Sequence, residues 1–362
     1  MPPHWRAHMV KVVRTVLGDI APGALGPTDA HEHLFLTTPL QPGDEYADVG
    51  AAIEEAMTLV AAGAASLVDW TPLGLGRSPE GLRRVSEASG LHIVAATGAH
   101  RDAHYPEGHP LRAEALAALA DCFAADIAER RPPSGVIKVG ASYHHLTMFE
   151  EKVFAAAAEA HARTGAPICV HTEVGTMGLR IVQRLVALGV PPGAVILAHL
   201  DRNPDPGEHA ETAATGTWLQ FDGPGRAKYW PDSVVLQLIA DLVERGFQER
   251  LLLGGDTGRR SMMRAYGGGP GLDYLFARFK PRLERELGQA HCTQIFVLNP
   301  AAAFGFEPPE AAPVRPGPRS AGASSRAAQQ GGSRPPFTVP GLHQELQARP
   351  GRQWLVVGRR SQ

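Results

Sequence analysis

Eight short apolar runs, separated by segments of helix length, constrain this chain more than any other feature. The runs occupy residues 27–33, 66–70, 92–97, 135–139, 166–171, 194–199, 218–222 and 251–256. Each is continuously apolar or rich in β-branched residues, which is the pattern of a strand buried on both faces. The segments between them carry helix punctuation. Ser78-Pro79-Glu80 offers an N-cap with proline at the first helical position. Thr147-Met148-Phe149-Glu150 is a capping box, Phe149, Val153, Ala157 and His161 follow at helical spacing, and Gly165 supplies a stop. Strand and helix alternating eight times implies a parallel sheet with crossover helices. Eight units favour closure into a (β/α)8 TIM barrel of the α/β class. Residues 12–25, ahead of the first run, read as a small hairpin, an N-terminal β cap.

The chain of 362 residues divides near residue 306. Residues 1–306 carry the barrel. From 307 to about 335, Pro, Gly, Ser, Ala, Arg and Gln dominate and the apolar period stops. Such a composition buries too little surface to offset chain entropy, so 307–362 is expected to be a disordered tail. It includes one short apolar run, Trp354-Leu355-Val356-Val357. With 35 basic against 37 acidic residues the net charge is −2, which gives no electrostatic basis for binding nucleic acid or an anionic membrane. The three cysteines, Cys122, Cys169 and Cys292, lie far apart and read as reduced thiols of a cytoplasmic protein. The first residues have no apolar core of signal-peptide type, and no stretch of about 20 apolar residues is present.

Chemistry-bearing residues sit at the ends of these runs. Within Asp29-Ala30-His31-Glu32-His33, strand period 2 points His31 and His33 the same way, into the barrel lumen, with Glu32 on the other face. Ile168-Cys169-Val170-His171 and Ile196-Leu197-Ala198-His199 run apolar and stop at histidine. Leu251-Leu252-Leu253-Gly254-Gly255-Asp256 stops at aspartate, and Lys138 interrupts the apolar run Val136-Ile137-Lys138-Val139. Strand C-termini face the active site of a barrel. Polar groups there need a partner or a metal. Six such residues on five strands point to a metal centre rather than to six separate structural accidents. A protonated lysine repels a dication. A buried one can lose its proton and add carbon dioxide, giving an anionic carbamate ligand. The competing reading pairs Lys138 with Asp256 or Glu173.

These motifs resemble the phosphotriesterase family of the amidohydrolase superfamily, including its lactonase branch, over residues 11–306. The resemblance is carried by Gly26-Pro27-Thr28-Asp29-Ala30-His31-Glu32-His33, Ile93-Val94-Ala95-Ala96-Thr97-Gly98, Ile137-Lys138-Val139, Val170-His171-Thr172, Ala198-His199, Gly255-Asp256, and Asn299-Pro300 with Phe304. It implies a metal-dependent hydrolase acting on ester bonds. By resemblance, His31, His33 and Asp256 hold the more buried of two divalent ions and His171 and His199 the more exposed one. An N6-carboxylated Lys138 and a hydroxide bridge both. Asp256 takes the proton of the attacking hydroxide. Zinc suits these ligands, as do cobalt, manganese and iron. The resemblance also suggests a homodimer. There is no G-x-S-x-G nucleophile elbow, which argues against an α/β-hydrolase.

Substrate choice belongs to the loops. The loop after the seventh run carries Arg226, Lys228 and Tyr229. That after the eighth carries Arg259, Arg260, Arg264 and Tyr266. Lys228, Arg259, Tyr266 and His100 are the expected substrate contacts, and cationic side chains there suit a carboxylate or phosphate. A lactone, with those of sugars and phosphosugars included, is the first expectation for the small-molecule substrate. An organophosphate triester (aryldialkylphosphatase activity) is the second, and a non-catalytic metal- or ligand-binding barrel is the third. One departure stands out. Where lactonase relatives place a tyrosine after Thr97-Gly98, this chain has Ala99-His100, leaving His100, His104, His144 and His145 to shape the pocket.

Overall fold

The computed structural model describes residues 10–308. From residue 309 on, the expected tail and its apolar run therefore lie outside the described residues. An antiparallel hairpin, β1 (Val13–Thr15) with β2 (Gly18–Ile20), forms the anticipated N-terminal cap. Eight parallel strands follow: β3 (Thr28–Glu32), β4 (Ser66–Asp69), β5 (His92–Gly98), β6 (Val136–Ala141), β7 (Ile168–Thr172), β8 (Val195–Ala198), β9 (Trp218–Phe221) and β10 (Leu251–Leu253). They pair in chain order, each with its successor. The crossovers are α1 (Val49–Ala61), α2 (Pro79–Ser89), the pair α3 (Pro110–Ala113) and α4 (Leu116–Ala128), α5 (Met148–Thr164), α6 (Gly178–Ala187), α7 (Pro206–Ala214) and α8 (Asp232–Glu244). After β10 come α9 (Lys280–Leu287), α10 (Gln289–Thr293) and α11 (Asn299–Ala303).

The expected helix signals operate. Ser78 Oγ accepts the Gly81 N–H, and both halves of the Thr147/Glu150 capping box form. Gly165 ends α5 at φ 76°, a conformation glycine adopts without a Cβ penalty.

Between β10 and β3 the ring of strands is joined by single bonds rather than a ladder. The Asp256 N–H donates to the His31 carbonyl at 2.9 Å, and the Gly255 N–H reaches Asp29 Oδ1 at 3.3 Å. The glycine pair makes this approach possible. A Cβ on Gly254 would lie 2.7 Å from the backbone nitrogen of His31, and one on Gly255 would collide with the Glu32 carboxylate.

Apolar side chains pack in two places. One set fills the space between sheet and helices. The other fills the lumen, where Val68, Val94, Val136, Ile196 and Leu252 stack above a floor of Val13, Leu25 and Phe304. Asn299 locks the last helix to the barrel by donating to the carbonyls of Gln248 and Leu251 at 2.8 and 2.7 Å. All three cysteines are free thiols. Among the described residues no helix is long and apolar enough to cross a membrane.

All eight runs are strands, but several overshoot. β3 ends at Glu32, β8 at Ala198 and β10 at Leu253, so His33, His199 and Asp256 sit just past the strand ends. The register of β3 against β4 slips between Asp29 and Glu32, a stretch that includes the first histidine. His31 and His33 nonetheless line one cavity. A bulge re-aims side chains at a barrel rim.

Candidate metal centre

Four imidazoles, a carboxylate and an amine converge above the apolar lumen. The available ligand atoms of His31, His199 and Asp256 all lie within 4.8 Å of one another. His33 Nε2 is 3.4 Å from Asp256 Oδ1, and His31 Nε2 is 3.6 Å from the same oxygen. The His171 ring lies 4.4 Å from that of His199. Glu32 points elsewhere, as expected. It is fully buried and accepts from the N–H and hydroxyl of Thr257 at 2.7 and 3.1 Å.

Each imidazole has a partner that fixes which nitrogen it presents. Carboxylates only accept hydrogen bonds. Asp222 therefore sets His31 and His199 as Nδ1–H, at 3.1 and 2.6 Å, leaving both Nε2 atoms with free lone pairs. Thr71 gives its one hydroxyl proton to the Phe35 carbonyl and so accepts from His33 Nδ1 at 2.8 Å, leaving His33 Nε2 free. His171 is the reverse: Glu173 takes its Nε2–H at 2.7 Å, so Nδ1 is the free nitrogen. Burial pushes His31, His171 and His199 well below the usual imidazole range, which is the neutral form a metal ion requires. His31 also stacks on Trp70 at 3.9 Å. Its Nε2 is buried without any hydrogen-bond partner, an orphan whose natural partner is a cation.

Lys138 lies within β6, 1% exposed, with Nζ 4.2 Å from the centre of the Trp70 ring. Burial pushes its amine down to about 7. Among the described residues it makes no ion pair with Asp256 or Glu173, so the competing salt-bridge reading fails. Burial would raise the Asp256 carboxyl. The Arg226 guanidinium outweighs that and holds it well below the carboxylate range. Asp256 Oδ2 is taken by Arg202 at 2.7 Å and by a close ion pair with Arg226. His199 and Asp256 adopt left-handed backbone, φ 67° and 47°. Such strain in non-glycine residues gathers at functional sites.

The centre opens into a cavity of about 250 Å³. Its lining includes the apolar Leu36, Leu40, Pro72 and Leu75 and the cationic Arg101, Arg202, Arg226, Lys228 and Arg259. Arg202 and Arg226 pair with Asp256, Arg101 with Glu173 and Arg259 with Asp44. Of the expected substrate contacts, Lys228, Arg259 and His100 line this cavity. Tyr266 does not. Its hydroxyl takes the Asp48 N–H at 3.3 Å, and its ring packs against Tyr46. Arg260 sits over the Tyr266 ring, and Arg264 pairs with Asp273 at 2.9 Å, so neither faces the cavity. His100 and His104 line it, whereas His144 and His145 are not among its lining residues. His100 Nδ1 accepts the Arg101 N–H at 2.6 Å, which leaves its Nε2–H as a donor.

Sequence reading missed Arg202, Trp70 and the partners Asp222, Thr71 and Glu173. Asp222 closes an apolar run just as the ligands do, and that was the available signal. Arg202 sits three residues past a ligand, in a turn with no pattern of its own.

The profile of the phosphotriesterase family matches residues 11–304. The chain belongs to the phosphotriesterase family. That family consists of metal-dependent hydrolases with binuclear centres, and this chain is a hydrolase of the same phosphotriesterase and lactonase type. The phospho-furanose lactonase of Mycoplasmopsis synoviae (strain 53) is 32% identical over 327 residues, covering 82% of this chain and 92% of that protein. A crystal structure of a lactonase from Listeria monocytogenes superposes with a TM-score of 0.77 at 30% identity, over 82% of this chain and 99% of the other. A mutant of the organophosphorus hydrolase from Deinococcus radiodurans gives 0.72 at 31%, over 83% and 98%.

Proposed function

We propose that this member of the phosphotriesterase family is a lactonase whose substrate carries an anionic group, of the sugar-phosphate lactone kind. The observation that carries the reading is the cavity itself: a group of potential metal ligands with five cationic side chains among its lining residues, of which Lys228 makes no ion pair among the described residues. An anion gains charge-assisted hydrogen bonds there that a neutral phosphotriester does not. The relatives from Mycoplasmopsis synoviae and Listeria monocytogenes, a phospho-furanose lactonase and a lactonase, point the same way.

The donor set fits two divalent ions. On this reading His31, His33 and Asp256 hold one, His171 and His199 the other, and a carboxylated Lys138 serves both. Zinc suits imidazole and carboxylate ligands. Bound ions supply a water nucleophilic near neutral pH and a Lewis acid for the attacked carbonyl. The chain's own groups do the rest. The neutral Lys138 Nζ lone pair would attack the carbon of carbon dioxide, one C=O π bond opening onto oxygen and one N–H proton passing to water, which leaves a carbamate as an anionic oxygen donor. On this reading Asp256 would hold an ion through Oδ1, which faces the Nε2 atoms of His31 and His33, and would also accept the nucleophile's proton, while Arg202 and Arg226 keep its carboxylate anionic at Oδ2. His100 offers a neutral Nε2–H donor to a substrate oxygen, and Leu36, Leu40 and Leu75 exclude water. Lys228 and Arg259 receive the substrate's anionic group.

The deciding experiment compares kcat/KM on a panel of phosphorylated and plain lactones with that on an aryl phosphotriester. The lactone is expected to win by at least tenfold, about 1.4 kcal/mol in transition-state stabilisation. A tenfold advantage for the triester replaces this reading with organophosphate hydrolysis, which the likeness to the Deinococcus radiodurans enzyme favours. Metal-loaded protein inert on the whole panel supports a non-catalytic barrel instead. Elemental analysis of untreated protein is expected to find about two equivalents of zinc.

A further inference from the structure

One carboxylate stands between the two halves of the centre. Asp222 follows β9 and is fully buried. Its Oδ2 faces His31 Nδ1 at 3.1 Å and the His199 backbone N–H at 3.3 Å, while its Oδ1 faces His199 Nδ1 at 2.6 Å. Its own backbone N–H donates to Asp201 Oδ1 at 3.0 Å, which fixes its position. His31 comes from β3 and His199 from the turn after β8, strands that are not neighbours. The other two imidazoles have private partners, Thr71 for His33 and Glu173 for His171.

We propose that Asp222 is a positioning residue that couples the two metal subsites, because its two oxygens hold His31 and His199, one from each subsite, with Nε2 free. The inference rests on the binuclear reading above for what the Nε2 atoms bind, but not for the tautomers themselves. An oxygen that only accepts demands an N–H from each ring. A neutral imidazole carries one proton, so both Nε2 atoms keep a lone pair. Trp70 stacked on His31 at 3.9 Å prevents that ring from swinging to another partner. Outer partners of this kind change metal affinity by about 10–100-fold when removed. Here one partner serves two rings, so a single substitution acts on both subsites.

The chemistry of asparagine makes the test selective. Asp222→Asn keeps one acceptor and gains an NH2 donor. The Oδ2 position receives two donors, so the asparagine oxygen belongs there and the NH2 faces His199 Nδ1. That nitrogen must then supply a lone pair, which moves the His199 proton to Nε2 and removes it as a ligand. Asp222→Ala releases both rings.

Two readouts decide the matter. In the metal-free full chain, ring-nitrogen NMR is expected to find His31 and His199 as Nδ1–H in the wild type, with His199 alone shifted to Nε2–H in Asp222→Asn. In titrations with zinc chloride, the wild type is expected to bind about two equivalents. Asp222→Asn should weaken one equivalent by about 10–100-fold and Asp222→Ala both, whereas Glu173→Ala weakens one only. Nε2–H tautomers in the wild type overturn the proposal, as do Asp222 variants that bind two equivalents with unchanged affinity. A wild type that binds no zinc while showing both Nδ1–H tautomers sinks the binuclear reading and leaves the positioning role of Asp222 standing. The wild-type tautomers decide the proposal even if a variant fails to fold.

Discussion

At the base of the cavity, each histidine ligand candidate has a partner that fixes the atom it presents, and the side chains are nearly all buried. At the mouth, the charged groups come from loops. Arg259 is about two-fifths exposed and shares Asp44 at 3.1 Å, Arg101 leans on Glu173 at 3.2 Å, and Lys228 rests over the Tyr229 ring. The base rests on strands and the first residues past their ends, so its geometry is set by the barrel's ladders and by the single bonds that join β10 to β3. The mouth rests on segments that ladders do not constrain. The contrast separates the kind of reaction, a matter for the base, from the choice of substrate, a matter for the mouth.

The base should fail abruptly and the mouth by degrees. Chelation of the metal is expected to abolish turnover and to lower Tm, since ions bound only to the folded state stabilise it by mass action. Activity and Tm unchanged by exhaustive chelation would remove the metal reading. Asp256→Asn should lower kcat/KM on the order of 10³-fold, with circular dichroism unchanged, because it loses both a ligand and a proton acceptor. Lys138→Met should bind less zinc and lose the dependence of zinc uptake on added bicarbonate that the wild type is expected to show.

The same lysine gives a pH signature in metal-free protein. Its folded value, near 7, lies below the unfolded value of about 10.5. Between these values the unfolded chain binds the extra proton, so stability rises with pH across that window. In denaturant titrations the wild type should gain on Lys138→Met from pH 7 toward 10. Parallel curves for the two proteins would show that the amine is not held neutral by burial.

At the mouth, Lys228→Ala or Arg259→Ala should raise KM for a phosphorylated lactone about tenfold and leave a neutral lactone unaffected. Equal losses on both substrates would mean that these cations shape the loop rather than bind the anion. Tyr266→Phe should change kcat/KM less than about twofold, as expected of a side chain away from the cavity. A larger loss would show that the loop after β10 moves Tyr266 to the substrate.

The strands, the helix caps, the hairpin and all six ligand candidates were legible in the sequence, because burial on both faces and the C-terminal placement of polar residues leave local marks. Tyr266, His144 and His145 were read toward the pocket from loop position alone. Loop sequence says which residues are near a site but not which way they turn. Arg202 and Thr71 had no mark at all, and Glu173 was read only as a partner for Lys138.

By itself the sequence pointed to a metal centre, and its resemblance to the phosphotriesterase family implied the reaction class. Apolar runs ending in histidine or aspartate, with a lysine inside one, can be buried only if those groups find partners, and a metal centre is one partner that could serve all of them. Tertiary structure alone decided which nitrogen each histidine offers. His31, His199 and Asp222 are far apart in the chain and meet only when strands that are not neighbours close into a barrel. The tautomer of each ring is set by whichever acceptor that closure brings to it.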